Sequence, residues 1–134
     1  MVGLFGRGSK NEKTKYLRSK KSELKKLVKD KKYDKVLKVS SEILEKNPHD
    51  LDVLFVLGGL HYMKGKFSKA ISFFDKVLEI SEFDPETLLL KANSHYNLGQ
   101  YKKSVISCEK IKEIDPKNKG VSELLTKIQK NSVN

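Results

Sequence analysis

Three aromatic residues, Tyr33, Phe67 and Tyr101, stand 34 residues apart, twice over. Self-similarity at a period of roughly 20–50 residues marks a chain of stacked supersecondary units, so this spacing limits the fold more than any other feature. The register extends well beyond the aromatics. Three residues after each comes a small or β-branched residue, Val36, Ala70 and Ser104, and ten residues after each an aliphatic, Ile43, Val77 and Ile111. Gly65 and Gly99 precede two of the aromatics by two places; Pro48 and Pro116 follow the first and third by fifteen, with Glu82 in that place in the middle unit.

The side chains between these markers read as helix. Leu54, Leu57, Leu60 and His61, then Ile71, Phe74, Val77 and Leu78, recur at helical spacing. Glycine at 65 and 99 suits the left-handed residue that closes a helix before a sharp turn. Asp84-Pro85-Glu86 combines a capping side chain, a first-turn proline and an acid at the positive end of the dipole, which predicts a helix start. Val121, Leu124, Leu125 and Ile128 fall at i, i+3, i+4 and i+7, the stripe of one amphipathic helix shielding the last unit. Ser9-Lys10-Asn11-Glu12 has capping-box form and places the first helix start near residue 10, leaving residues 1–8 as a flexible arm. Seven helices are expected.

At the repeat positions the chain resembles the tetratricopeptide repeat family, whose pattern is W-x2-L-G-x2-Y…A-x3-F…P. The middle unit, 51–84, matches with Leu54, Leu57, Gly58, His61, Ala70 and Phe74; the third, 85–118, with Leu88, Ala92, His95, Ser104, Cys108 and Pro116. The first, 17–50, keeps Leu24, Leu27, Tyr33, Val36 and Pro48. The resemblance implies an all-α, right-handed solenoid of three helix-turn-helix repeats. Residues 1–16 would be a basic flexible arm and possible helix extension, and 119–134 a C-terminal capping helix and tail. It is specific for fold and nearly silent on function.

Charge is concentrated at one end. The chain of 134 residues carries a net charge of +11, and residues 1–38 hold 14 lysines or arginines against four acids. Such asymmetry points to an anionic partner there: nucleic acid, an anionic membrane surface or an acidic protein. Only Arg7 and Arg18 are arginine, so most of this charge lacks the bidentate fork that reads phosphates and guanines. Between the arm and Tyr33 the one aromatic is Tyr16, which offers no platform for stacked bases. Val2, Leu4 and Phe5 are too few apolar residues to anchor a membrane on their own. No apolar run has the length of a membrane span or signal peptide, and the single cysteine, Cys108, fits a reducing compartment; a cytoplasmic protein is expected.

Catalytic and metal signals are weak. Gly3 to Lys10 approaches a phosphate-binding loop, but its last two residues are reversed and only two residues are available for the strand that the motif needs before it. His61 and His95 hold one repeat position and lack further ligands at tetrahedral spacing. Cys108 replaces Phe74 of the middle unit and reads as core. No enzyme activity, metal or cofactor is expected.

The resemblance implies that the first helix of each repeat lines a concave groove receiving a peptide or helix of a partner protein. By position the groove residues are Arg18, Lys21, Lys25 and Lys29; then Phe55, Gly59, Tyr62 and Met63; then Leu89, Asn93, Tyr96 and Asn97. Exposed aromatics and methionine beside polar groups suit protein recognition. Family members that grip a chaperone's C-terminal carboxylate need a set that Lys25, Val56, Glu86 and Leu90 break here. The expectation is an adaptor or scaffold whose partner lays an acidic portion against Arg18, Lys21, Lys25 and Lys29. The alternative is an anion-binding module in which the Lys-rich N-terminal segment holds nucleic acid or an anionic membrane.

Overall fold

A computed structural model describes residues 2–133, with side chains described for 11–131. Among these residues there are seven helices and no strand: α1 Val2–Lys29, α2 Tyr33–Lys46, α3 Leu51–Met63, α4 Phe67–Ile80, α5 Pro85–Asn97, α6 Tyr101–Ile114 and α7 Lys119–Val133. Two compact units divide the chain within α3, one ending at Val53 and the other beginning at Leu54.

In the first unit α1 packs on α2. Leu24 of α1 and Val36, Val39 and Ile43 of α2 are buried. Lys20 reaches Glu42 across the pair at 2.7 Å. That hydrogen bond holds the Lys20 ammonium above its usual range and the Glu42 carboxyl below its own. The helix does not start near residue 10: it runs unbroken from Val2 through the Ser9–Glu12 segment. Elongating an existing helix is far easier than nucleating one, which outweighs the poor propensity of Gly3, Gly6 and Gly8. The Gly3–Lys10 backbone is accordingly helix rather than loop.

In the second unit the base of α3 rests on α4. Phe74 is fully buried, with the Phe55 ring tilted against it at 6.2 Å. A Cβ on Gly58 would come to 2.7 Å from Phe74 Cδ1, so the absent side chain is what admits the ring. Further along, Leu88, Ala92, Cys108, Ile111, Val121, Leu124 and Ile128 form one core shared by α5, α6 and α7. The Ser104 hydroxyl donates to the Ala92 carbonyl at 2.8 Å, tying α6 to α5, and Lys91 pairs with Asp75 at 2.7 Å, tying α5 to α4.

The junctions repeat as strictly as the cores. Gly65 and Gly99 adopt φ of 75°, as their positions predict, and Lys31 takes the same place in the first unit with φ of 57°. At each, the following amide bonds a carbonyl five residues back: Lys32 to Leu27, Lys66 to His61 and Gln100 to His95, all at 2.9 Å. These are Schellman closures, which satisfy the orphan carbonyls of a helix end. The starts match too. Asp50 accepts from the Val53 amide at 3.2 Å, Asp84 from Thr87 at 3.2 Å and Asn118 from Val121 at 3.0 Å. The spacing of these caps is again 34 residues.

Candidate functional site

The N-terminal candidates lie on α1, and the structure separates them by what already neutralises them. Lys21 contacts Asp52 at 2.7 Å and Asp50 at 3.2 Å. Its hydrogen bond to Asp52, then that to Asp50, raises the ammonium pKa against the opposing effect of burial. Asp50 is only 5% exposed and caps α3, so this ion pair is part of the fold. Arg18, Lys25 and Lys29 are exposed and make no ion pair among the described residues. Arg18, Lys21 and Lys25, with Asn47, Asp50 and Asp52, line an open cleft of about 540 Å³ in the first unit.

In the second unit the expected α3 residues share one face, at positions 55, 59, 62 and 63. Phe55 and Tyr62 are half-buried because each rests on a ring of α4, Phe55 on Phe74 and Tyr62 edge-on to Phe67 at 5.4 Å. Packing within the helix pair thus uses one side of each ring. Between them in sequence, a Cβ on Gly59 would meet nothing within 4 Å, so the glycine leaves an open notch in the α3 face. Met63 beside it is 62% exposed.

The α5 candidates divide differently. Leu89 and Tyr96 pack on the core shared with α7. A Cβ on Gly120 would meet Leu89 Cδ2 at 2.6 Å, and the Tyr96 hydroxyl accepts from Asn131. Asn93 is half-buried and Asn97 exposed. Each donates its amide to its own helix, to the Leu89 carbonyl at 2.9 Å and the Asn93 carbonyl at 2.7 Å.

Over residues 29–111, more than half of its length, the sequence matches the family model for anaphase-promoting complex, cyclosome, subunit 3, which is of tetratricopeptide repeat type. The chain belongs to this tetratricopeptide repeat family. No curated protein matches it. Three solved structures resemble the repeat protein closely in fold. The first repeat domain of Spaghetti (RPAP3), bound to the HSP90 peptide SRMEEVD, is 16% identical with a TM-score of 0.79, over 88% of this chain and 94% of that one. The Arabidopsis OM64 repeat domain is 15% identical with a TM-score of 0.78, over 88% and 98%. The TPR2B domain in the pHsp70 complex of yeast Sti1 is 15% identical with a TM-score of 0.73, over 86% and 97%. At such identities the likeness is one of fold.

Cys108, His61 and His95 are held in packing contacts. Burial pushes the fully buried Cys108 thiol up to about 11, which leaves little thiolate at neutral pH. His61 stacks on Phe73 at 5.3 Å, and burial followed by Lys69, Lys66 and Lys64 holds it below its ordinary range. His95 is buried and its Nδ1 lies 2.8 Å from Gln100 Oε1. Among the described residues no three His, Cys, Asp or Glu side chains converge as a metal site. No described helix is long and apolar enough to cross a membrane.

Sequence reasoning singled out Lys21 by repeat position and missed its carboxylate partners. The usable signal was Asp50, which sits 34 residues before the recognised cap Asp84 and so had to lie at a helix start. Lys21→Met is expected to cost about 1–2 kcal/mol, because it strips the counter-ion from a nearly buried carboxylate while the lysine's own partial exposure tempers the loss. Urea denaturation of this variant beside Arg18→Met checks it. Equal stability of the two would show that the pair contributes nothing.

Proposed function

We propose that this tetratricopeptide repeat protein is a protein-interaction adaptor, and that its second unit binds a peptide or helix of a partner protein over the α3 face. The observation that carries this reading is the open notch at Gly59, about one helical turn from Phe55 and from Tyr62 along α3, with Met63 exposed nearby. An apolar side chain set against this face would meet two rings whose rear faces are already fixed on α4, so little ordering entropy opposes binding. With their amide nitrogens held by the helix, Asn93 and Asn97 of α5 keep their carboxamide oxygens as acceptors for a partner's backbone. Tyr96 and Leu89 support the face by holding α5 to α7. The peptide-bound state of fold-alike domains supports the same class of role, in particular the Spaghetti domain with its HSP90 peptide.

Gly59→Gln tests this. A glutamine fills the notch and meets no neighbour within 4 Å of its Cβ, so folding is preserved while the partner's side chain is excluded. Proteins captured stoichiometrically by the wild type from nuclease-treated native lysate are expected to bind this variant about ten-fold more weakly, or worse. Retention of every captured partner at full affinity by Gly59→Gln and by Phe55→Ala would overturn the reading.

A further inference from the structure

We infer that the corner between α4 and α5 is a docking site for a basic segment of a partner protein. Its lysine or arginine side chains would meet Glu79 and Glu82, and an apolar side chain would cover Ile80 and Phe83. The inference uses none of the α3 residues above and stands on its own measurement.

The repeat register singles this corner out. Where the first and third repeats have Pro48 and Pro116, the middle one has Glu82; where they have His49 and Lys117, it has Phe83. Helix α2 carries Lys46 in its last turn and α6 carries Lys112, but the last turn of α4 has no base. It holds Glu79 instead, at the end of the helix where the backbone dipole is negative and a carboxylate is disfavoured. Local choices that oppose the fold's own electrostatics concentrate at functional sites.

Asp75, Leu78, Glu79 and Glu82 line an open cleft of about 490 Å³ with Lys91 of α5. The nearby bases are already engaged. Lys91 pairs with Asp75 at 2.7 Å, and Lys76 lies over the Phe73 ring, 5.4 Å from its centre. Two further acids have work in the fold: Asp84 caps α5, and Glu86 stands in its first turn, where negative charge is favoured. Glu79 and Glu82 are exposed and make no ion pair among the described residues. Alternating with them along the chain are two large apolar side chains left in water, Ile80 at 49% exposure and Phe83 at 51%.

These groups define the occupant. Two carboxylates and a helix C-terminus attract a cation, while Ile80 and Phe83 call for an apolar cover. A metal ion supplies no such cover, and among the described residues no three His, Cys, Asp or Glu side chains converge to hold one. Glu79 and Glu82 repel nucleic acid and anionic lipid. A second copy of the chain is disfavoured too, because two copies at +11 each repel one another. A partner segment that mixes bases with apolar residues answers both needs.

The test is fluorescence anisotropy of a labelled peptide, Lys-Leu-Lys-Lys-Leu-Lys, with the full-length chain. About 0.15 M salt screens charges beyond roughly 8 Å, so the chain's distant lysines do not mask the contact. Glu79→Gln and Glu82→Gln are each expected to weaken binding about three-fold, and Phe83→Ser about five-fold. Glu79→Gln removes a charge that the dipole of α4 disfavours, so its melting temperature is expected to hold or rise and lost binding is not lost folding. Glu109 and Glu113 are exposed on α6 and do not line the cleft, so their replacement by glutamine is expected to change affinity less. Hexalysine, with more charge and no apolar side chain, is expected to bind more weakly than the mixed peptide.

Unchanged affinity in Glu79→Gln and Glu82→Gln overturns the proposal, as does a mixed peptide that binds the wild type too weakly to detect. Equal weakening by the α6 substitutions overturns it in favour of a diffuse charge effect. Hexalysine binding as tightly as the mixed peptide removes the role of Ile80 and Phe83 and overturns it as well. Self-association of the free chain that Glu79→Lys abolishes overturns it in favour of a second copy at this corner.

Discussion

Phe74→Ala is expected to lose about 3–5 kcal/mol of folding stability, the range found when a buried aromatic is cut back to a methyl group. The ring is fully buried in the second unit, against Phe55 on one side and the bare backbone of Gly58 on another. Neither neighbour can fill the hole. Gly58 has no side chain to swing inward, and Phe55 is itself half-exposed, so it would have to leave its place on the α3 face. The cavity therefore persists, and lost contacts add to the lost transfer energy. Urea denaturation followed by circular dichroism measures the change. A loss below about 1 kcal/mol would mean that α3 collapses onto α4 and that the Phe55–Phe74 contact is not what spaces them.

The adjacent glycines of α3 should respond in opposite directions to one substitution. Gly58→Ala places a methyl group closer to the edge of Phe74 than a Cβ can sit without a shift of the buried ring, and a net loss of about 2 kcal/mol is expected once its better helix propensity is counted. Gly59→Ala places the same methyl group in open space, at a helical backbone position, and should gain about 0.5–1 kcal/mol. The pair is a controlled comparison, because propensity and unfolded-state effects are common to both. Stability rising in both variants would show that Phe74 is not held against α3 as described. Falling stability in both would mean that the notch at Gly59 is occupied.

What was legible from the sequence was whatever recurs with chemistry proper to one residue type. The aromatics at 33, 67 and 101 and the glycines at 65 and 99 placed the helix pairs, and the cap at Asp84 placed the start of α5. Lys31 was hidden because its left-handed backbone carries a side chain that does not advertise it. The continuation of α1 to Val2 was hidden because residues 2–8 are glycine-rich and local propensity speaks against helix there. Of the site, the α3 positions, Gly59 among them, come from the family resemblance carried over by repeat position, since periodicity alone says nothing of what binds there. The neutralisation of Lys21 was not legible, since Asp50 and Asp52 lie far along the chain and only the fold brings them to the lysine.

The helix closures at 31, 65 and 99 and the caps at 50, 84 and 118 have a consequence for how such a chain can grow. The closures are made from main-chain groups and the caps from one short polar side chain, all drawn from within a few residues of the bend. The cap at Asp50 is in addition tied to α1 through Lys21, but the bonds that turn the chain at these corners depend on no distant segment. Duplicating residues 51–84 in tandem would restore each corner intact, with an aspartate already waiting at the new seam. Length in this architecture is thus a free variable in steps of 34 residues, and selection can adjust reach without redesigning a single joint.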